Sequence, residues 1–353
     1  MSDGLGLIAR CDNGGLGNQT WELARHLQPE RVLLMRMPGA AGRGTEYPER
    51  YADFDVTEAF YPLAPADLAA FAGGLFRGGR GLKTVLTSET WYANEAVIAV
   101  NALRSVGARS ALIAMPELYV PAGEDLIIAP TTWHQPAGSV HLPHPVALDR
   151  FPNWKAPQEQ CMDFYHPAAP AMLDRNGAEL VLQALPYVEA ECGLTVRSDS
   201  PPPSSLRLEE VEQGRWMGAV FAVTVEWLNG RSTDYWDQYV VDCDALLLPR
   251  RYAGMCLPAQ ESAALGWPRV MLDLPPQDEW PGSLLVPATV QQKVQMKGGR
   301  FPVHTAEVQK LADTMTYLAS FPDVYQETSS DSRAWAESIS WDALLPRWLE
   351  VLS

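Results

Sequence analysis

From Asp244 to Met271 the chain reads Asp-Ala-Leu-Leu-Leu-Pro-Arg-Arg-Tyr-Ala-Gly-Met-Cys-Leu-Pro-Ala-Gln-Glu-Ser-Ala-Ala-Leu-Gly-Trp-Pro-Arg-Val-Met. Ala245 to Leu248 form a short continuous apolar run closed by Pro249, the pattern of a strand buried on both faces of a parallel sheet. A glycine loop follows, and Pro258 stands where a first helical residue loses nothing by lacking an N–H. Gly266 and Pro268 end that helix about two turns later, and Arg269 to Leu272 begin a further strand. Strand, glycine loop, helix and strand make a βαβ unit, whose loop offers backbone N–H groups and the positive end of a helix dipole to an anion. Glu261, placed in the first turn of the helix, sets an acceptor-only carboxylate beside that cradle, at the height where a nucleotide ribose presents two hydroxyls. An ordinary structural crossover is the plain alternative, because such loops are common in doubly wound sheets.

Composition sets the frame around this stretch. The 353 residues, 47% of them hydrophobic, are enough for two domains with packed cores. No apolar run approaches the roughly 20 residues of a membrane span. Met1 to Arg10 lacks a charged leader and cleavage site, so a soluble protein is expected. Cys11, Cys161, Cys192, Cys243 and Cys256 are scattered without Cys-x-x-Cys spacing, which points to neither a disulfide framework nor a zinc site and fits a reducing cytoplasm. The net charge of −16, from 27 basic and 43 acidic residues, disfavours non-specific attraction to nucleic acid or anionic lipid. Twelve tryptophans offer stacking platforms for sugars or bases, although core packing is their commoner use.

Taken in order, the chain opens with an expected strand at Leu5 to Cys11. Asp12-Asn13-Gly14-Gly15-Leu16-Gly17-Asn18-Gln19 then turns into a helix whose Trp21, Leu23, Ala24 and Leu27 share one face. Its glycines again expose N–H groups to an anion. Strands are expected at Arg31 to Met35, Lys83 to Thr87, Ser110 to Met115 and Leu126 to Ala129, and helices at Pro65 to Phe71 and Asn94 to Val106. Strands alternating with helices predict an open parallel α/β sheet, in which ligands sit past the carboxyl ends of strands. That singles out Asp12, Ser88, Glu89, Glu117 and His134. The proline-rich stretch Pro143 to Pro157 is a linker between a first domain, 1–148, and a second, 158–330. In the second, the spacing predicts a helix over Arg175 to Leu185, strands at Leu194 to Arg197 and Ala219 to Val225, and a helix at Asp234 to Val241. Trp335, Ile339, Trp341, Leu344, Leu345 and Trp348 then give a terminal helix within 331–353.

The opening stretch resembles the donor-binding signature of GT-B glycosyltransferases, nearest to the retaining family-4 type. There, a strand ending in Pro leads through a Gly-x-Gly-Leu-Pro loop into a helix, and Pro249, Gly254, Leu257, Pro258, Glu261, Ala264, Gly266 and Pro268 fall in register. The chain is also similar to glycosyltransferases encoded by actinobacterial phages. The resemblance implies an α/β fold of two Rossmann-like domains, an acceptor-side domain followed by a donor domain, with a C-terminal helix crossing back to the first. It implies transfer from a UDP- or GDP-sugar to a hydroxyl, with retention and without a metal or other cofactor. By the same resemblance Glu261 binds the donor ribose, while Gly254, Met255, Cys256 and Leu257 surround its phosphates. Gly14, Gly15, Gly17 and Asn18 inherit the first-domain loop that closes over phosphates and reacting sugar, and Glu226 to Ser232 the base-binding loop. His166 and Arg175 stand nearest the two family cations that neutralise the diphosphate, with Arg250 and Arg251 supplying the rest. Two positions depart from the pattern: Ala253 replaces the first of two glutamates seven residues apart, and Cys256 replaces the second loop glycine. Sugar-side chemistry must therefore come from elsewhere, His134 first and Glu117 second.

The acceptor is expected to be a protein or small-molecule hydroxyl, met in the cytoplasm, or in a host's cytoplasm if the source is a phage. Hydroxylated bases of phage DNA are the rival acceptor. A DNA enzyme needs a basic track, for which Arg77, Arg80 and Lys83 in the acceptor-side domain are the candidates, against the overall charge. Two further readings stand beside transfer: a non-catalytic nucleotide-sugar binder, which Ala253 favours, and a nucleotide-sugar epimerase, which needs a cluster of catalytic acids.

Overall fold

The computed structural model describes residues 2–12, 14–36, 46–74, 80–88, 93–151, 160–168, 172–230, 239, 242–252 and 254–353. The chain divides into two units, Met1–Pro145 with Met296–Gly299 and Trp341–Ser353, and Val146–Gln295 with Arg300–Ser340.

In the first unit β1 (Ser2–Arg10) carries Leu5, Leu7, Ile8 and Ala9, all buried, so both of its faces are covered and it can only be an inner strand. α1 (Gly15–Leu27) follows and ends on Gln28, in the left-handed region. The remaining elements are β2 (Pro29–Arg36), β3 (Val56–Phe60), α2 (Pro65–Gly73), β4 (Thr84–Ser88), α3 (Ala93–Ser105), β5 (Arg109–Ile113), β6 (Leu126–Ala129) and β7 (Val140–His141). Pro65 opens α2 and Gly74, at φ 75°, closes it. The seven strands lie in the order β3-β2-β1-β4-β5-β6-β7, every pair parallel.

The second unit builds a nine-stranded sheet. Its elements are β8 (Asp163–Pro167), α4 (Ala178–Ala184), β9 (Cys192–Ser198), β10 (Glu209–Glu212), β11 (Arg215–Val220), β12 (Val223–Asn229), β13 (Ala245–Leu247), α5 (Leu257–Ala264), β14 (Arg269–Asp273), β15 (Ser283–Met296), β16 (Gly299–Ala306), α6 (Val308–Ser320) and α7 (Pro322–Ser338). The strand order is β10-β11-β12-β9-β8-β13-β14-β15-β16, parallel from β12 to β15, with β11 and β10 added antiparallel at one edge. Phe164, Val196, Val225, Leu247 and Val270 from the strands meet Val181 of α4 and Leu311, Met315 and Leu318 of α6 in one core.

Several expectations change. The strand expected at Ala219 to Val225 is a reversal, β11 turning at Phe221 (φ 56°) into β12, so Glu226 to Asn229 is strand rather than base-binding loop. The helix expected at Asp234 to Val241 lies outside the described residues but for Tyr239, as do Glu89, Arg77 and Ala253. The helix expected from Arg175 begins three residues later, after Gly177. The single terminal helix is two, α7 and α8 (Trp341–Leu352). They part because Ile339 O accepts Val146 N–H at 2.9 Å and Ser340 bridges to Val146, which draws the backbone out of the helix.

α8 belongs to the first unit. Trp341 stacks on His26 of α1, centroids 4.4 Å apart, and Trp348 Nε1 donates to Pro143 O at 3.2 Å. α7 does a different task in the second unit, capping the carboxyl end of α5 and the turn after it. Arg333 Nη1 donates to Ala264 O (2.5 Å), Ser329 Oγ to Gly266 O (2.5 Å) and Ser332 Oγ to Trp267 O (2.6 Å), satisfying carbonyls that a helix end leaves open.

Candidate functional site

In the second sheet the chain order reverses between β8 and β13: β9 continues to one side and β14 to the other. A crevice opens at such a switch point, past the carboxyl ends of the strands. Two loops meet there, β8 to α4 and β13 to α5. Gly177, at φ 76°, lets them touch, since a Cβ on it would lie 2.4 Å from Pro249 O. Arg251 N–H donates to Arg175 O at 2.9 Å. The fold therefore gathers His166, Arg175, Arg250, Arg251 and the glycine loop in one place.

Their roles separate once gathered. His166 is 1% exposed, with Nδ1 2.7 Å from Leu247 O, and burial pulls its pKa down to about 4. It is neutral at physiological pH, which corrects the cationic role expected of it. Arg251 is tied to neighbouring segments: Nε donates to His304 O (2.8 Å), Nη1 to Leu173 O (3.1 Å) and Nη2 to Gln291 Oε1. Arg250, 3% exposed, folds into the loop instead. Its Nε reaches Tyr252 O (3.4 Å), Nη1 Cys256 Sγ (3.2 Å) and Nη2 Met255 O (3.3 Å), while Gln277 Nε2 holds its own carbonyl at 2.8 Å. The Arg175 guanidinium lies 5.8 Å over the Tyr252 ring. Past buried Gly254 and half-buried Met255, Cys256 is the N-cap of α5 and makes no side-chain cap bond; Leu257 begins the helix.

Glu261 lies in the second turn of α5, not the first, because the helix starts at Leu257. It is 3% exposed, and Tyr239 Oη donates to its Oε2. Tyr239 stands edge-on to Phe151, Tyr165 and Trp267, which flank its phenol with rings. Burial pushes the Tyr165 phenol well above its usual value; Arg197 opposes this, and the Glu261 charge adds to it. Sequence reasoning misses Tyr239 and its neighbours because they converge on Glu261 from separate segments that share no local pattern.

In the first unit the order reverses between β1 and β4. Asp12 shapes the loop after β1, its Oδ2 accepting from Arg10 Nε (2.6 Å) and its Oδ1 from Gly14 N–H (2.9 Å). A Cβ on Gly17 would lie 1.9 Å from Asp12 O. Asn18 is 1% exposed and serves the loop itself, Nδ2 donating to Gly14 O and Oδ1 accepting from Arg50 Nη1, both at 2.9 Å. Gly14 is the N-cap of α1, with no side-chain cap bond, and Gly15 the first helical residue. Across the switch point Ser88 Oγ donates to Gln19 Oε1 at 2.9 Å. Glu117, buried, and His134, exposed, follow β5 and β6 on the same carboxyl edge. His134 takes a left-handed backbone (φ 46°), its ring edge-on to Trp133 at 4.7 Å.

Arg80 and Lys83 lie elsewhere. Both precede β4, and Lys83 N–H donates to Gly4 O at 2.8 Å, so they sit at the amino edge of the sheet. Gly4 and Arg10 are six positions apart along β1, about 20 Å of strand. Arg77 is outside the described residues. Among the described residues no group of three or more His, Cys, Asp or Glu side chains could hold a metal, and all five cysteines are free and buried.

No family model matches the sequence, and no curated protein matches it either. Solved structures share its fold. A glycosyltransferase from Rickettsia africae superposes with a TM-score of 0.65 at 11% identity, over 99% of this chain and 97% of its own. Sucrose-phosphate synthase from Thermosynechococcus elongatus gives 0.62 at 14% identity, over 99% of both chains. The pneumococcal O-GlcNAc transferase GtfA, in complex with UDP and GlcNAc, gives 0.51 at 15% identity over 82% of this chain and 59% of its own. At such identities the likeness is one of fold, and the fold is that of the GT-B glycosyltransferases, two Rossmann-like units each with its own switch point.

Proposed function

We propose that the chain is a glycosyltransferase that binds a nucleotide-sugar donor at the β8/β13 switch point and passes the sugar to a hydroxyl of a protein or small molecule. The observation that carries this reading is the Arg250 guanidinium, buried in the glycine loop with only neutral partners, Tyr252 O, Met255 O and Cys256 Sγ, among the described residues. A buried cation held only by neutral groups is costly, and an anion on the loop compensates it. The amino end of α5 adds its N–H groups and dipole. One turn behind stands the Glu261 carboxylate. An anion-binding centre followed by an acceptor for hydroxyls is the pattern a nucleoside diphosphate requires.

Transfer draws on the same groups. As the sugar–phosphate bond breaks, negative charge grows on the departing diphosphate, and donors already fixed in place stabilise it without reorganising. Retention and metal independence accompany this reading by resemblance to the family-4 type, and UDP as carrier is supported by the UDP complex of the pneumococcal neighbour. Residues 158–330 form the donor side and 1–148 the acceptor side, where His134 is the first candidate for sugar-side chemistry and Glu117 the second. The DNA reading loses support, because Arg80 and Lys83 occupy the amino edge of their sheet. No helix among the described residues is long and apolar enough to cross a membrane, and the cytoplasm is the proposed compartment.

The test is a thermal-shift screen of UDP- and GDP-sugars, followed by measurement of nucleoside diphosphate released with and without hydroxyl acceptors. A true donor at 100 times its Kd stabilises the fold by about 2.7 kcal/mol. If no nucleotide sugar shifts the midpoint and none is consumed, the reading is wrong.

A further inference from the structure

Tyr239 lies in the segment leading to β13, 22 residues before Glu261, and its phenol donates to Glu261 Oε2. Both side chains are nearly sealed, at 6% and 3% exposure. Three rings meet the phenol edge-on: Phe151 at 5.7 Å, Tyr165 at 6.0 Å and Trp267 at 6.4 Å. Tyr165 and Trp267 also brace each other at 6.0 Å. With Tyr239 itself, the rings come from four separate places: the residue after the Leu148–Arg150 turn, mid β8, the approach to β13 and the turn after α5. A glutamate's last torsion is broad and roughly two-fold, so a carboxylate left to itself samples many planes. Here the Tyr239 phenol, bonded to one of its oxygens, narrows that choice.

We propose that Tyr239 is a positioning and specificity-determining residue: it fixes the plane of the Glu261 carboxylate so that the site recognises the vicinal diol of a ribonucleoside diphosphate and rejects its 2′-deoxy counterpart. The inference rests on the donor-site reading above. Two neighbouring hydroxyls can donate to one carboxylate only when its plane is aligned with both. A carboxylate free to turn accepts either hydroxyl alone nearly as well, and a diol then gains little over a single hydroxyl. A site built to bond a hydroxyl discriminates strongly against the analogue that lacks it, and the phenol supplies that alignment.

The experiment measures binding of UDP, GDP and their 2′-deoxy forms to the full chain by titration calorimetry, with wild type, Glu261→Gln, Tyr239→Phe and Trp267→Phe. Wild type is expected to prefer the ribo form of its nucleotide by about tenfold or more, the range of a charge-assisted hydrogen bond. Tyr239→Phe should keep wild-type affinity for the deoxy form and lose most of the preference. Trp267→Phe, which only loosens packing, should weaken both forms equally. Tyr239→His, which restores a donor, should recover part of the preference and serves if Tyr239→Phe fails to fold. An unchanged ribo-to-deoxy ratio in Tyr239→Phe, with Glu261→Gln still weakened, overturns the role of Tyr239 and leaves the donor site standing. Tighter ribo binding by Tyr239→Phe also overturns it, since the phenol would then compete with ribose. If wild type binds neither nucleotide, the donor-site reading falls and takes this one with it.

Discussion

Gly17 shows how little freedom single residues have around the two loops. Any side chain there meets Asp12 O at 1.9 Å, backbone of a residue whose side chain is also held by Arg10. Gly17→Ala is expected to cost about 1–3 kcal/mol in urea denaturation, and wild-type stability would show that the loop is looser than described. Glu261 is a residue of the opposite kind, whose loss should be felt by ligand rather than fold. Glu261→Gln keeps the volume and removes the charge, so donor affinity should fall by roughly 10- to 150-fold, or about 1.5–3 kcal/mol, by calorimetry. Undiminished affinity in the folded variant would move the donor elsewhere. The glycines, prolines and Glu261 of the second loop are legible in sequence because their spacing is local. Tyr239 is not, since its partner lies 22 residues away and only the folded sheet joins them. The neutrality of His166 is hidden too: a histidine's charge depends on its burial, which no neighbour in sequence announces.

At the scale of elements, α5 is stabilised at both ends by different means. Its amino end faces the glycine loop, and its carboxyl end is closed by Ser329, Ser332 and Arg333 of α7. Arg269 joins this clasp from β14, Nη1 donating to Ala259 O (3.2 Å) and Ser332 Oγ (2.9 Å), with its guanidinium 4.6 Å over Trp335. Burial lowers its pKa to about 9, so it stays charged at neutral pH and depends on those acceptors. Ser332→Ala removes one acceptor of a buried cation and one donor to Trp267 O. It should cost about 1–3 kcal/mol, read by urea denaturation; a change within error would mean that water replaces the hydroxyl. The apolar strands β1, β2, β6, β13 and β14 are visible in sequence because burial on two faces leaves an unbroken apolar run. β15 is not, because its outer half, Gln291-Gln292-Lys293, is exposed and polar. The division of α7 from α8 is equally hidden, being set by a bridge to Val146.

Over the whole molecule each unit buries one histidine, His144 in the first and His166 in the second, and burial pulls both down from 6.5 to about 4. The unfolded chain binds these protons more readily than the folded one, so stability is complete above pH 6.5 and falls as pH drops towards 4. Each histidine contributes up to about 3 kcal/mol to that loss. Asp163 and Asp244, whose pKa values burial raises, oppose it at the lower end of the window. Melting temperatures measured from pH 7.5 to 4.5 should decline accordingly, and His144→Phe should flatten the part due to the first unit; a flat wild-type profile would contradict both assignments. Two units are foreseeable from length and apolar content, whereas their exchanges at 295/296, 299/300 and 340/341 are set by distant contacts that periodicity does not reveal. The last exchange bears on how the protein is made. Trp341, which stacks on His26, leaves the ribosome about 315 residues after it, a delay of roughly 15–60 s at ordinary translation rates. The first unit to be synthesised is thus the last to be completed, and throughout that interval the surface of α1 that α8 will cover is open to chaperones and to other nascent chains.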